Sequence, residues 1–144
     1  MRLTYSTRLI FSSQPDFKAV LGTLEAERFA FNFCSQKIFE NNLTNIKDVH
    51  TKCYREFRDL YPKIRASIVS KAESYCLAAY RSSKTKRHLL KKPIEKKKLS
   101  IRLDENLVRF SNGLINITTE GKRVSTKPYI YPKLQEMLDT YDFG

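Results

Sequence analysis

The residues best suited to chemistry in this sequence are cations. From Ser82 to Leu103 the chain reads "SSKTKRHLLKKPIEKKKLSIRL", in which Lys84, Lys86, Arg87, Lys91, Lys92, Lys96, Lys97 and Lys98 surround one acid, Glu95. The chemistry open to them is neutralisation of a polyanion. Each duplex phosphate contacted releases roughly 0.9 of a counterion, so even part of such a run would dominate affinity and make it salt-dependent. Lysine outnumbers arginine here, which suits point-charge tracking of a backbone better than bidentate reading of bases. Pro93 stiffens the middle of the run, and cations continue beyond it at Arg102, Arg109, Lys122 and Arg123. The same residues also allow a solvated linker, although such a linker does not need that continuation.

Catalytic groups are harder to find. Metal-assisted phosphodiester hydrolysis needs several carboxylates converging on one site, and the acids here are scattered. His50 and His88 have no partners at metal or triad spacing, and His88 belongs to the basic run. With four glycines there is no glycine-rich phosphate loop, and the terminal "DFG" stands without any surrounding kinase motif. The expectation is a chain that is not an enzyme by itself and takes no cofactor or metal.

Composition sets the same direction. A formal charge of +12 over 144 residues favours polyanionic partners, nucleic acid before an anionic membrane surface. No apolar run approaches the roughly 20 residues of a spanning helix, and "MRLTYSTRLIF" has no signal-peptide apolar core. Cys34, Cys53 and Cys76 are widely spaced and form no CxxC pair, which points to reduced thiols in a cytoplasmic protein.

Three zones must position the cations. In the first, Leu3, Tyr5, Thr7, Leu9 and Phe11 alternate with polar residues at the period of a half-buried strand. After "SSQPD", the second zone is helical. Phe17, Val20, Leu21, Leu24, Phe31 and Ile38 mark helix one, with Ser13 or Asp16 as its cap. Ile46, Val49, Cys53, Phe57 and Leu60 mark helix two, with Thr44 or Asn45 as its cap and Pro62 as its stop. Ile68, Val69, Ala72, Cys76, Ala79 and Tyr80 mark helix three, from about 65 to 82. In the third zone "LSIRL", "LVRF", "LINITT" and "KRVST" read as short strands, with hairpin turns at Asn112-Gly113 and Glu120-Gly121 where positive φ is easily adopted. The predicted fold class is α+β: a small β-barrel or sheet from 1–12 and 92–144, with a helical domain of residues 13–91 inserted after its first strand.

Opposite the apolar stripe of helix three lie Ser67, Ser70, Lys71, Ser74 and Arg81. Serine is a mediocre helix former, and a serine face lets a groove or backbone approach closely while offering hydroxyls. Spacing alone equally allows a merely polar outer face. Helix two adds Lys47, Lys52, Arg55 and Arg58 to the positive surface. In "KPYIYPK", Tyr129 and Tyr131 lie between lysines and prolines in an apparently extended segment, suited either to base stacking or to packing in a loop.

Four segments together resemble the N-terminal half of the transposon-encoded RNA-guided nucleases called TnpB and their type V CRISPR relatives. "LTYSTRLIFSSQPDF" is similar to the family's first strand and entry to helix one. "ERFAFNFCSQ" is similar to its Arg-Phe-aromatic-Asn motif. "LYPKIRASIVSKAESYCLAAYRSSK" resembles its third helix, and "KKLSIRLDENLVRFSNGLINITTEGKRV" its strand-rich segment. The resemblance covers nearly the whole chain in the same order. It implies a wedge β-barrel interrupted by a helical recognition domain, which together grip a guide-RNA scaffold and read a short motif beside the DNA target. Carried over, the motif-facing positions would be Ser67, Ser70, Lys71 and Ser74, with Asn45 and Arg102 nearby. The run from Lys84 to Lys98 would line the path of guide RNA or heteroduplex. In the family a RuvC-like nuclease domain follows. This sequence stops at Gly144, so catalytic activity is not carried over, and cleavage is expected from a RuvC-like domain or subunit outside the chain.

The reading is a nucleic-acid-binding recognition lobe with guide RNA and target duplex as partners, and no membrane. Two rivals stand beside it: a guide-independent DNA-binding module or repressor whose third helix enters a major groove, and a basic structural subunit that docks an acidic protein.

Overall fold

The computed structural model describes residues 6–103 and 106–140. Its first long element is α1, Gln14–Asn41, which starts where Ser13 accepts a hydrogen bond from the Asp16 amide and Pro15 occupies the first turn. It ends at Asn42, which adopts the left-handed conformation at φ 48° and returns its amide to the Ile38 carbonyl. The second helix, α2 (Ile46–Leu60), is capped by Asn45, whose Oδ1 accepts from the Asp48 amide at 2.9 Å. It stops before Pro62, as the proline requires. The third, α3 (Ala66–Ser82), has no side-chain cap.

These helices form two adjoining apolar clusters. One gathers Phe31, Cys34 and Ile38 of α1 with Val49 and Cys53 of α2 and Cys76, Leu77 and Tyr80 of α3. The other gathers Ala26 and Ala30 with Phe57, Ile64, Ile68, Val69, Ala72 and Leu107. The expected apolar stripes hold through Ile38 in α1 and Tyr80 in α3 but fail at the start of α1 and at both ends of α2. Phe17, Ile46 and Leu60 are exposed.

The β part is a four-stranded antiparallel sheet in the order β1-β4-β3-β2, built from β1 (Leu9–Ile10), β2 (Val108–Ser111), β3 (Leu114–Thr118) and β4 (Arg123–Pro128). Leu9 pairs with Pro128 and Ile10 with Lys127, so the opening strand does join the later ones. The sheet is open, with β1 and β2 as edges, and does not close into a barrel. β1, two residues long, is too short to close it. The predicted alternation at Leu3 and Tyr5 lies outside the described residues. Asn112 and Gly113 take φ of 53° and 73°, the mirror-image turn that matches strand twist. Glu120-Gly121 departs from expectation. Neither residue has positive φ, and the loop closes instead through the Thr119 amide and hydroxyl, both donating to the Lys122 carbonyl.

Two further expectations are corrected. "LSIRL" is not a strand; Ile101 and Leu103 pack against the second helical cluster, so their alternation reflects contact with helices and not with a sheet. "KPYIYPK" is extended only as far as Tyr131; from Pro132 the chain forms a helix, α4 (Pro132–Thr140), which the proline opens at a position where its missing amide costs nothing. The sheet rests on the first half of α1. There the Glu120 amide donates to Thr23 Oγ1 at 3.3 Å, and Lys122 Nζ meets Asp16 Oδ1 at 2.6 Å. That lysine's hydrogen bond holds the Asp16 carboxyl below its ordinary range.

Candidate nucleic-acid interface

Residues 83–103 form neither helix nor strand apart from one short 3-10 turn, Arg87–Leu89. The segment is nevertheless pinned along its length, and the pins are its apolar residues, its backbone and two of its cations. Leu90 and Ile94 pack on the first cluster. The Ile94 amide donates to the Tyr80 hydroxyl at 3.1 Å, and its carbonyl accepts from Ser35 Oγ. Tyr80 in turn donates to the Ser35 carbonyl at 3.0 Å, so one buried phenol ties α3, α1 and this strap together. Asn32 grips Lys96 from both sides, accepting its amide at 2.8 Å and donating to its carbonyl at 3.2 Å.

Two cations of the run face inward. Lys96, 17% exposed at its side chain, pairs with the buried Glu27 carboxylate and donates to the Ser100 carbonyl at 2.6 Å. Burial still pushes the Glu27 carboxyl above its ordinary range, against the pull of Lys96. Arg87 donates to the Leu43 carbonyl and stands 5.1 Å from the Tyr80 ring centroid. The remaining cations, Lys84, Lys86, Lys91, Lys92, Lys97 and Lys98, are exposed and make no ion pair among the described residues. The strap thus divides its residues by role: apolar groups, Arg87 and Lys96 anchor, and six lysines stand outward.

The strap ends beside α3. Arg102, exposed, sits with its guanidinium 5.4 Å from the Tyr75 ring centroid. Tyr75 lies on the outer face of α3, next to Ser74 and one turn beyond Lys71. Ser67, Ser70 and Lys71 are half-buried, and Ser74 is exposed. Ser74 Oγ donates back to the Ser70 carbonyl at 3.1 Å, the usual way a helical serine satisfies itself. The serine face and Arg102 are therefore neighbours. Asn45 is placed differently. Both its polar atoms are engaged with Asp48, one in the cap and one at 2.6 Å to the carboxylate. Arg81 reaches back to the Thr44 carbonyl at 2.8 Å and braces the α1–α2 loop.

Tyr131 donates to the Ser6 carbonyl at 3.2 Å and is half-buried, while Tyr129 is exposed. Cys34, Cys53 and Cys76 are free and fully buried. The Cys34 thiol is pushed far up by its hydrogen bond with Cys53 and by burial, and burial pushes Cys76 up to about 12. Neutral thiols of this kind are inert. No group of three or more metal-ligating side chains, and no helix long and apolar enough to cross a membrane, exists among the described residues.

Sequence reasoning missed Glu73. It sits on the buried face of α3, its Oε2 is 2.7 Å from His50 Nδ1, and its Oε1 has no partner. Burial raises its carboxyl above the ordinary range, with His50 pulling the other way. The signal was present, since Glu73 follows Ala72 within the apolar stripe, and a carboxylate there needs a partner one helix away. Compared with known proteins, the chain matches no family model, no curated protein and no solved structure.

Proposed function

We propose that this chain is a nucleic-acid-gripping lobe of an RNA-guided DNA-targeting assembly, non-catalytic by itself, in which the strap tracks a phosphate backbone and the outer face of α3 meets a short duplex motif. The finer architecture that goes with this reading is a wedge formed by the sheet and a recognition domain formed by α1–α3. The carrying observation is the strap: its anchors are inward, six lysines are outward, and it delivers Arg102 onto Tyr75 beside the serine face. A solvated linker needs no such division. A docking subunit for an acidic protein needs no serine-lined helix next to the charge. Guidance by RNA rests on the resemblance of the four sequence segments.

The test is to purify the protein from its native locus without nuclease treatment and sequence the nucleic acid that accompanies it. One abundant structured RNA encoded beside the gene is the expected result. Random RNA, or none together with sequence-specific duplex binding, would replace this reading with the guide-independent DNA binder.

A further inference from the structure

We infer that the open end of the aromatic ladder Phe57–Tyr61–Phe29 is a stacking site for an unpaired nucleobase. This rests on the nucleic-acid reading above and adds the kind of strand that is held. Phe57 is buried in the second helical cluster. Tyr61 stacks on it with centroids 4.9 Å apart and planes 22° apart, and Phe29 continues the stack from Tyr61 at 6.1 Å and 13°. The ladder is rigid at its base, because the Tyr61 amide donates to the Phe57 carbonyl and its own carbonyl accepts from Ile64. It does not finish inside the protein. Phe29 is 48% exposed, Tyr61 37% and neighbouring Leu60 61%.

Large aromatics left at the surface in register with a rooted stack offer a π-face already fixed in orientation, which stacking of a flat ring requires. The rim is cationic. The Arg28 guanidinium lies over the Phe29 ring, 5.7 Å from its centroid, and donates to the Lys97 carbonyl at 3.5 Å, so an incoming base stacks by displacing this exposed group or by lying on its plane. The platform is thereby continuous with the exposed Lys97 and Lys98 of the strap. The occupant that fits is flat, aromatic and tied to an anion: a base with its phosphate. In a duplex the base faces are already stacked, so the site selects single strands. Arg28 and the two lysines then take the flanking phosphates.

The chain has no tryptophan, so Phe29→Trp places a unique fluorophore at the end of the ladder. Unstructured oligo(dU) and oligo(rU), a blunt DNA duplex and heparin, a polyanion without bases, are titrated against it while labelled ligand reports binding separately. Quenching of the indole by the single strands, with the duplex and heparin bound but leaving emission unchanged, is the expected result. Comparison of the two oligonucleotides separates RNA from DNA as the source of the base. Single strands that bind without quenching would overturn the site and leave backbone gripping intact, as would equal quenching by heparin. Failure of every polyanion to bind would overturn both. Independently, Phe29→Ala and Phe29→Leu, each checked for native helicity, should weaken single-strand binding by about tenfold with duplex affinity unchanged; Leu matching wild type would mean that apolar area, not a π-face, is what matters.

Discussion

Glu73 is the residue least suited to its surroundings. Its carboxyl has one hydrogen-bond partner, one orphaned oxygen and a raised pKa caused by burial. A carboxyl that binds its proton more tightly when folded contributes stability that is fully present below its unfolded pKa and is lost as pH rises through the folded value. Wild-type stability should therefore fall as pH climbs from the ordinary carboxylate range toward neutrality. Glu73→Gln keeps an acceptor for His50 and removes this residue's share of the dependence, leaving that of the raised Glu27 and Glu120 carboxyls. At pH 7 it should stabilise, read as a higher urea midpoint, with no gain at pH 4. A lower midpoint at pH 7 would mean that the ionised pair with His50 is a net support. Lys96 has the opposite character. Removing it strands Glu27 without its cation, so Lys96→Gln should destabilise by about 3 kcal/mol in the same assay, whereas Lys97→Gln should be neutral.

At the scale of elements, the strap and the β2–β3 turn each depend on one group. Tyr80→Phe removes a hydroxyl that donates to Ser35 and accepts from Ile94. The loss should be about 1–3 kcal/mol, and amide exchange at Ile94 should accelerate more than exchange within α2; equal acceleration everywhere would show that Tyr80 supports the core rather than the strap. Gly113, at φ 73°, admits no side chain without strain, so Gly113→Ala should cost about 1–2 kcal/mol. These elements also show what was legible in advance. Ser13, Asn45, Pro62 and Asn112-Gly113 act locally, through caps, breaks and turns, and each marks its boundary where expected. Residues 99–103 misled because alternation records only which side of a chain is covered, and Ile101 and Leu103 are covered by helices. The shortness of β1 was hidden for the same reason: alternation over 3–11 says nothing of how many partners a strand finds.

For the whole molecule, the decisive quantity is how charge is shared between folding and binding. Of the residues proposed from sequence as a binding surface, Ser74, Arg102 and six lysines are exposed, Ser67, Ser70 and Lys71 are half-buried, and Arg81, Arg87, Lys96 and Asn45 are committed to contacts within the fold. Sequence could not make that division, because lysines adjacent in the chain differ only in which side of an irregular strap they leave. Replacing Lys91, Lys92, Lys97 and Lys98 together by Gln should therefore leave the urea midpoint unchanged. It should also reduce the slope of log affinity against log salt by up to about 3.6 for a duplex, at roughly 0.9 per phosphate. An unchanged slope would remove the strap from the interface.

The Tyr80 hydroxyl, which joins its own helix to partners on two other segments, has an evolutionary consequence. Because the strap is fastened by a phenol, the Asn32 amide, apolar groups and the two inward cations Arg87 and Lys96, the number and spacing of its outward lysines can drift without endangering the fold. Grip on a polyanion and survival of the folded chain are thus separately adjustable traits, and a lineage carrying this strap could retune the first through single codon changes while holding the second constant.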